Sequence, residues 1–327
     1  MAGPVRPAVR LEHVTRWFDG AISPAVEDLT LDITQGSVVV LIGPSGCGKT
    51  TTLRMINRLI EPSAGRVLID GRDSTEIDAI ALRLGIGYVI QAVGLFPHRT
   101  VAANIATVPR ALGWEHSRTK RRVDELAELV GLERELLDRY PDELSGGQQQ
   151  RVGVARALAA DPPLLLMDEP FGAVDPVVRA RLQTELLELQ SRLHKTIVLV
   201  THDLDEAVTV ADRIALLDVG GRLAQFATPD ELLHRPAGPF VEEFLGAERN
   251  MRRLAIRRVL ELELDPIPNG MDADDPLAVI ARQSTLRAAM ETLLTGNHAT
   301  ALVEDGGRII GSIGVGAIRR ALAADAK

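Results

Sequence analysis

The sequence predicts an α/β fold: a largely parallel sheet flanked by helices, with a helical insertion and a smaller α+β unit behind it. Three observations predict it. Short apolar runs at Val38–Ile42, 164–167 and Thr196–Val200 are continuous rather than alternating, as strands buried on both faces are. Helix signals follow each run, giving the strand–helix repeat of a parallel sheet. The pattern then breaks around Pro236, Gly238 and Pro239, and a different unit starts near Arg249.

Taken in order, residues 29–42 read as one strand that alternates and then becomes continuously apolar. A glycine-rich turn follows, and Leu53, Ile56 and Leu59 or Ile60 mark a helix closed by Glu61-Pro62-Ser63-Ala64-Gly65. Residues from about 92 to 160 read as a helical subdomain, with Val123, Leu126, Leu129 and Val130 on one face before Gly131 stops it. Beyond the strand at 164–167 a helix opens at Asp175-Pro176, an N-cap followed by proline at the first helical position. Its apolar stripe is Val178, Leu182, Leu186, Leu189 and Leu193. After Thr196–Val200, Thr201-His202-Asp203 starts another helix. The expected domains are 1–246 and 247–327.

At 327 residues the chain exceeds the size at which a single core stops growing, in keeping with one large unit and one small. Hydrophobic residues at 46% and charged residues at 25% are the balance of a globular protein. The 37 basic against 45 acidic residues leave a net charge of −8, the wrong sign for a chain that tracks a phosphate backbone, so no nucleic acid partner is expected. The lone Cys47 cannot form an internal disulfide and nothing near the start reads as a cleavable leader, so a reducing cytoplasm is expected. The longest apolar runs fall far short of the roughly 20 residues of a spanning helix, so any membrane role has to come through a partner.

Chemistry concentrates in three motifs. Gly43-Pro-Ser45-Gly46-Cys47-Gly48-Lys49-Thr50-Thr51 matches a phosphate-binding loop between a strand and a helix. Its glycines let backbone N–H groups turn inward around phosphate oxygens, and the following helix adds the positive end of its dipole. Lys49 is then expected on the β- and γ-phosphates of ATP and Thr50 on Mg²⁺. Leu164-Leu-Leu-Met-Asp168-Glu169 places two carboxylates at a strand end, where Asp168 can hold the metal shell and Glu169 can poise water. In Leu144-Ser145-Gly146-Gly147-Gln148-Gln149-Gln150-Arg151, Ser145 is a helix N-cap before two glycines, presenting free N–H groups to an anion.

This last stretch resembles the signature of ABC transporter ATPases, and the resemblance runs from about Val9 to Gly246. It implies an ABC-type P-loop ATPase that works as a homodimer on the cytoplasmic face of a membrane, beneath transmembrane permease subunits. It further implies Gln91 as the Q-loop residue touching metal and nucleotide, Asp175 in the D-loop, His202 as the switch histidine at the γ-phosphate, and Phe18 as the aromatic on adenine. Glu169, His202, Lys49 and Gln91 form the implied catalytic set, and Thr50, Gln91 and Asp168 the implied metal set. Phe18, 43, 45–51, 145–148 and Asp175 form the nucleotide set. Val174 departs from the commoner Leu, and Phe18 from the commoner Tyr. His98, in Leu95-Phe-Pro-His98, reads as partner surface.

Four strings narrow the resemblance: Gly94-Leu-Phe-Pro-His98-Arg-Thr-Val, Val108-Pro-Arg-Ala-Leu-Gly-Trp114, Gln148-Gln-Gln-Arg-Val-Gly-Val-Ala and Asp168-Glu-Pro-Phe-Gly-Ala. Together they look like the ATPases of bacterial importers of quaternary-amine osmoprotectants such as glycine betaine, carnitine and choline, fed by an extracytoplasmic binding protein. An importer of sugars, sulfate, taurine or methionine would share every catalytic motif and stays open. A non-transport ABC ATPase acting on DNA or ribosomes would carry a long coiled-coil insertion or a second cassette, and this chain has neither. The tail reads helix, strand, strand, helix over 284–322 and resembles one cystathionine-beta-synthase-type (CBS) motif. Gly314 and Ala317 stand where nucleotide-binding versions carry Ser or Thr and Asp. Arg249, Arg252, Arg253, Arg257 and Arg258 pose a rival reading for the tail, attraction to anionic lipid that salt would screen.

Overall fold

The computed structural model describes residues 7–91, 94–172, 176–246, 248–267, 278–296 and 298–324. By packing, the chain forms two compact units, one ending at Phe226 and the other beginning at Ala227.

The first unit carries two sheets. Strands β1 (Pro7–Arg16), β2 (Val26–Thr34), β4 (Ala64–Ile69) and β5 (Arg72–Asp73) form one, in the order β2-β1-β4-β5, and β1 pairs antiparallel with β2 and β4. The other has the order β10-β9-β3-β8-β7-β6, built from β3 (Val38–Ile42), β6 (Ile86–Val89), β7 (Leu164–Asp168), β8 (Thr196–Val200), β9 (Arg213–Leu217) and β10 (Leu223–Ala227). Pairs β6–β7, β7–β8, β8–β3 and β3–β9 are all parallel. Every residue of β3, β7 and β8 is buried, as their unbroken apolar runs require.

The sequence reading of 29–42 as one strand is corrected here. Gly36, at φ 76°, turns the chain, so alternating β2 and continuous β3 lie in different sheets. Alternation in β2 is that of a half-exposed antiparallel strand, with Leu29, Leu31 and Ile33 inward. Those side chains and Val9, Leu11 and Val14 of β1 meet Leu41, Leu53, Ile56, Leu166 and Val198 in one core.

Helices α1 (Lys49–Ile56) and α2 (Ala79–Leu84) follow β3 and β5. The expected helical subdomain holds α3 (Val101–Ile105), α4 (Thr107–Ala111), α5 (His116–Leu129) and α6 (Gly146–Leu158). Then come α7 (Pro176–Leu193), with Leu182, Leu186 and Leu189 buried, and α8 (Leu204–Val210).

The second unit begins earlier than the expected division at Gly246. It takes in α9 (Pro229–His234) and α10 (Pro239–Leu245), and α9 packs on α11 (Arg249–Ile256). A three-stranded sheet follows, β11 (Val279–Ala281) parallel to β12 (Thr300–Asp305) and β12 antiparallel to β13 (Arg308–Gly314). Helix α12 (Leu286–Thr295) joins the first two strands and α13 (Val315–Ala324) follows the last, so the helix, strand, strand, helix order is observed. Leu286, Ala289, Leu293, Val303, Ile313 and Ile318 form its core.

Three of the five tail arginines are tied into this unit. Arg253, 3% exposed, donates to the Leu322 carbonyl, Arg257 donates to the Ala321 carbonyl and pairs with Glu261, and Arg252 donates to the Leu245 carbonyl. Cations at the last carbonyls of α13 satisfy its C-terminus and complement its dipole.

Candidate functional site

The parallel sheet brings the C-terminal ends of β3, β6, β7 and β8 side by side, the edge where such sheets bind ligands. A cleft of about 360 Å³ opens there, lined by Ala25, Ser45, Gly46, Gly48, Lys49, Thr50, Thr51, Glu169 and His202. Its floor is the loop between β3 and α1. Gly43 has no room for a side chain, because a Cβ would run into the Leu217 carbonyl. Gly48, at φ 97°, would drive one into the carbonyl of Ala25. Helix α1 starts with no side-chain cap, so its first N–H groups remain for a ligand.

Lys49 is 7% exposed and its Nζ donates to the carbonyls of Gly43 and Pro44 at 2.7 and 3.0 Å, drawn back over its own loop. Thr50 Oγ1 donates to Asp168 Oδ1 at 2.9 Å. Burial pushes the Asp168 carboxyl above its ordinary range, against the pull of that hydroxyl and of Arg54. Cys47 is buried beneath the loop, 3.8 Å from Lys49 Nζ, and burial pushes its thiol up.

Glu169 is the point of convergence. Gln91, just beyond β6, donates from Nε2 to Glu169 Oε2 at 2.8 Å, and His202 Nδ1 lies 3.2 Å from Oε1. Glu169 itself adopts φ 46°, left-handed backbone that is unfavourable for a residue with a Cβ. Four of the expected site residues, Gln91, Asp168, Glu169 and His202, thus reach the mouth of the phosphate loop from three different strands.

The signature residues do not line this cleft. Ser145 caps α6, its hydroxyl accepting from the Gln148 N–H at 3.3 Å while Gln148 Oε1 accepts from the Ser145 N–H at 2.9 Å. Gly146 opens α6, and at Gly147 a Cβ would come within 3.0 Å of Val178 Cγ1, so this glycine lets α6 approach α7. Phe18 is exposed outside the cleft, with the Arg16 guanidinium 4.8 Å from its ring centre. Asp175 lies outside the described residues.

Sequence reasoning missed a buried group beside His202. Glu206 follows the N-cap Asp203 by three residues, the spacing of a capping box, which would leave it at the surface. It is instead 4% exposed and accepts from the Thr201 hydroxyl at 3.0 Å. The apolar helix face around it, Leu204, Ala207, Val208 and Val210, was the available signal.

Among the described residues no helix is long and apolar enough to cross a membrane. The ABC transporter family model matches residues 26–172. The chain is 50% identical over 299 residues to the glycine betaine/carnitine/choline transport ATP-binding protein OpuCA of Bacillus subtilis, covering 86% of this chain and 78% of that one. It is 54% identical over 252 residues to the osmoprotectant import ATP-binding protein OsmV of Salmonella typhimurium, covering 76% and 66%. It is 49% identical over 283 residues to the glycine betaine uptake system ATP-binding protein YehX of Escherichia coli, covering 86% and 89%. Among solved structures, the dimeric bacterial ABC transporter cassette MJ0796 matches at 33% identity and a TM-score of 0.61, over 68% of this chain and 98% of that one. MJ0796 is also known in a dimeric post-hydrolysis state bound to ADP and Pi. With the phosphate loop, the paired carboxylates and the capped signature helix in place, the chain belongs to the ABC transporter family, as one of its ATP-binding ATPase subunits.

Proposed function

We propose that this chain powers uptake of a quaternary-amine osmoprotectant, hydrolysing ATP at the cytoplasmic face of a membrane beneath separate permease subunits that an extracytoplasmic binding protein supplies. Support for the substrate class is that OpuCA, OsmV and YehX, each about half identical over most of this chain, are named for osmoprotectant, glycine betaine, carnitine or choline transport. No residue of the cleft would touch that cargo.

The observation that carries the ATPase reading is Glu169 held between Gln91 and His202 at the mouth of the phosphate loop. Lys49, now bonded to two loop carbonyls, would turn to the β- and γ-phosphate oxygens, which accept the same donors more strongly. Mg²⁺ fits the pair Thr50 and Asp168. Both offer hard oxygen donors, they already lie within hydrogen-bond distance, and a divalent charge would relieve the cost of burying the Asp168 carboxylate. Bound there, the ion would neutralise phosphate charge. Glu169 accepts a proton or orients the attacking water, Gln91 holds one of its oxygens in place, and His202 fixes the γ-phosphate geometry. Catalysis of this kind is positioning and charge placement, with no covalent intermediate on the protein.

The first test is Glu169→Gln. The variant should bind ATP and build up a closed dimer while turning over at under about 1% of the wild-type rate. Turnover near the wild-type rate would remove Glu169 from this role. Uptake of radiolabelled glycine betaine by vesicles holding the whole transporter tests the cargo class, and uptake of a sugar or sulfate instead would overturn it.

A second reading concerns the tail. Its strand, helix, strand, strand, helix order resembles a single CBS motif that would pair across the ATPase dimer. At Gly314 a Cβ would come within 2.8 Å of the Ala299 carbonyl oxygen, and Ala317 is 6% exposed in the core, so neither position has room for the polar side chain of a nucleotide-binding version.

A further inference from the structure

Behind His202 lies a polar cluster that the hydrolysis chemistry above leaves unused. The Thr201 hydroxyl donates to Glu206 Oε2 and accepts the Asp203 N–H, both at 3.0 Å, so one buried oxygen joins the end of β8 to the first turn of α8. Arg179, on α7, donates from a terminal guanidinium nitrogen to Asp203 Oδ2 at 3.0 Å. Asp203 Oδ1 meanwhile caps α8, accepting from the N–H groups of Asp205 and Glu206 at 2.9 and 3.2 Å. His202 therefore sits between two pinned neighbours, with its side chain 62% exposed and Nδ1 3.2 Å from Glu169 Oε1.

Among the described residues, two complementary atoms of this cluster are buried without a hydrogen-bond partner, Glu206 Oε1 and Arg179 Nε. A buried carboxyl that is only half satisfied is costly, and a Leu or Met would fill the same apolar face without that cost. Burial drives the Glu206 carboxyl up to about 7. Asp203 and Glu169 push in the same direction, and the Thr201 hydroxyl and Arg179 oppose them. Retaining such a group beside the γ-phosphate histidine calls for a task that an apolar residue cannot perform.

We propose that Glu206, acting through Thr201, and Arg179, acting through Asp203, are positioning residues for His202, fixing the turn from which its ring reaches Glu169 and the γ-phosphate. The inference rests on the reading of His202 as the γ-phosphate histidine. ATP binding is carried by the phosphate loop, so loosening this turn weakens the chemical step and leaves nucleotide affinity in place. Displacements of about 1 Å at a reacting centre cost up to about a hundredfold.

Steady-state ATP hydrolysis by the full chain tests the proposal, with thermal unfolding of each variant as the check on folding. Glu206→Ala and Thr201→Val should lower kcat about tenfold with the KM for ATP within about twofold of wild type. Glu206→Gln and Thr201→Ser, which keep the acceptor and the hydroxyl, should recover kcat to within about threefold of wild type. In a His202→Ala background, Glu206→Ala should cost less than about twofold more, because the residue it positions is already gone. Should Glu206→Ala fail to fold, the near-isosteric Thr201→Val takes its place in the cycle. A clear loss in His202→Ala to which the second substitution adds its full factor would overturn the inference alone. Full activity in His202→Ala would overturn the histidine reading and the inference together.

Discussion

Gln91 and Glu169, 78 residues apart in the chain, are joined by a 2.8 Å hydrogen bond from the Gln91 amide to Glu169 Oε2. That bond ties the end of β6, where the helical subdomain begins, to the carboxylate we propose as the group that handles water. Gln91→Ala should lower the single-turnover hydrolysis rate about tenfold while ATP binding changes little, because the lost contact orients a reacting group. Rapid-quench measurement checks this, and an unchanged rate would show that Glu169 holds its orientation without Gln91.

Ser145, Gly146, Gly147 and Gln148 stand outside the cleft that their own chain forms. Two copies arranged head to tail would place the free N–H groups of one α6 at the γ-phosphate held by the other. Chains carrying Lys49→Ala and chains carrying Ser145→Arg should each be inactive alone. Mixed in equal amounts they should regain roughly a quarter of wild-type activity, since half the dimers are mixed and each of those has one intact site. Full activity from either variant alone would sink the shared site.

Stability should carry a pH signature from Glu206. Its carboxyl is raised from about 4.5 to about 7 in the folded chain, so folding favours the protonated form. The corresponding stability is fully present below about 4.5 and is lost as pH rises through about 7. Glu206→Gln cannot titrate, so its stability relative to wild type should rise across that window, by about 3 kcal/mol at the limit. Urea unfolding at pH 5 and pH 8 measures the difference, and parallel curves would remove Glu206 as its source.

In the second unit, Arg253→Ala should destabilise by about 2 kcal/mol or more, since it deletes a charged donor to the Leu322 carbonyl and leaves a cavity. The loss should be nearly independent of salt, because a side chain 3% exposed is poorly screened. Unfolding at 50 mM and 500 mM NaCl separates this from a lipid-facing role, for which stability would hardly change on substitution.

What was legible in the sequence was what is local in the chain. Lys49 and Thr50 were readable because a phosphate loop is a contiguous turn, and Ser145 because a capping box spans four residues. The meeting of Gln91, Glu169 and His202 depends on which strands are neighbours, and no spacing in the chain encodes that order. β2 was absorbed into β3 because apolar alternation continues into an apolar run, and the single Gly36 between them is a weak stop signal. Glu206 was hidden by a plausible local partner: an Asp three residues earlier makes any Glu look like a surface cap.

Glu169 holds a backbone conformation that Gly or Asn adopts more readily, at a saving of about 1 kcal/mol. The chain therefore keeps the carboxylate proposed to handle water against a conformational preference for a different residue. A library screened for heat resistance alone would be drawn toward replacing it, and the hardiest clones would be silent ones. Engineering this protein for robustness thus needs turnover scored in the same round as melting, with position 169 held fixed.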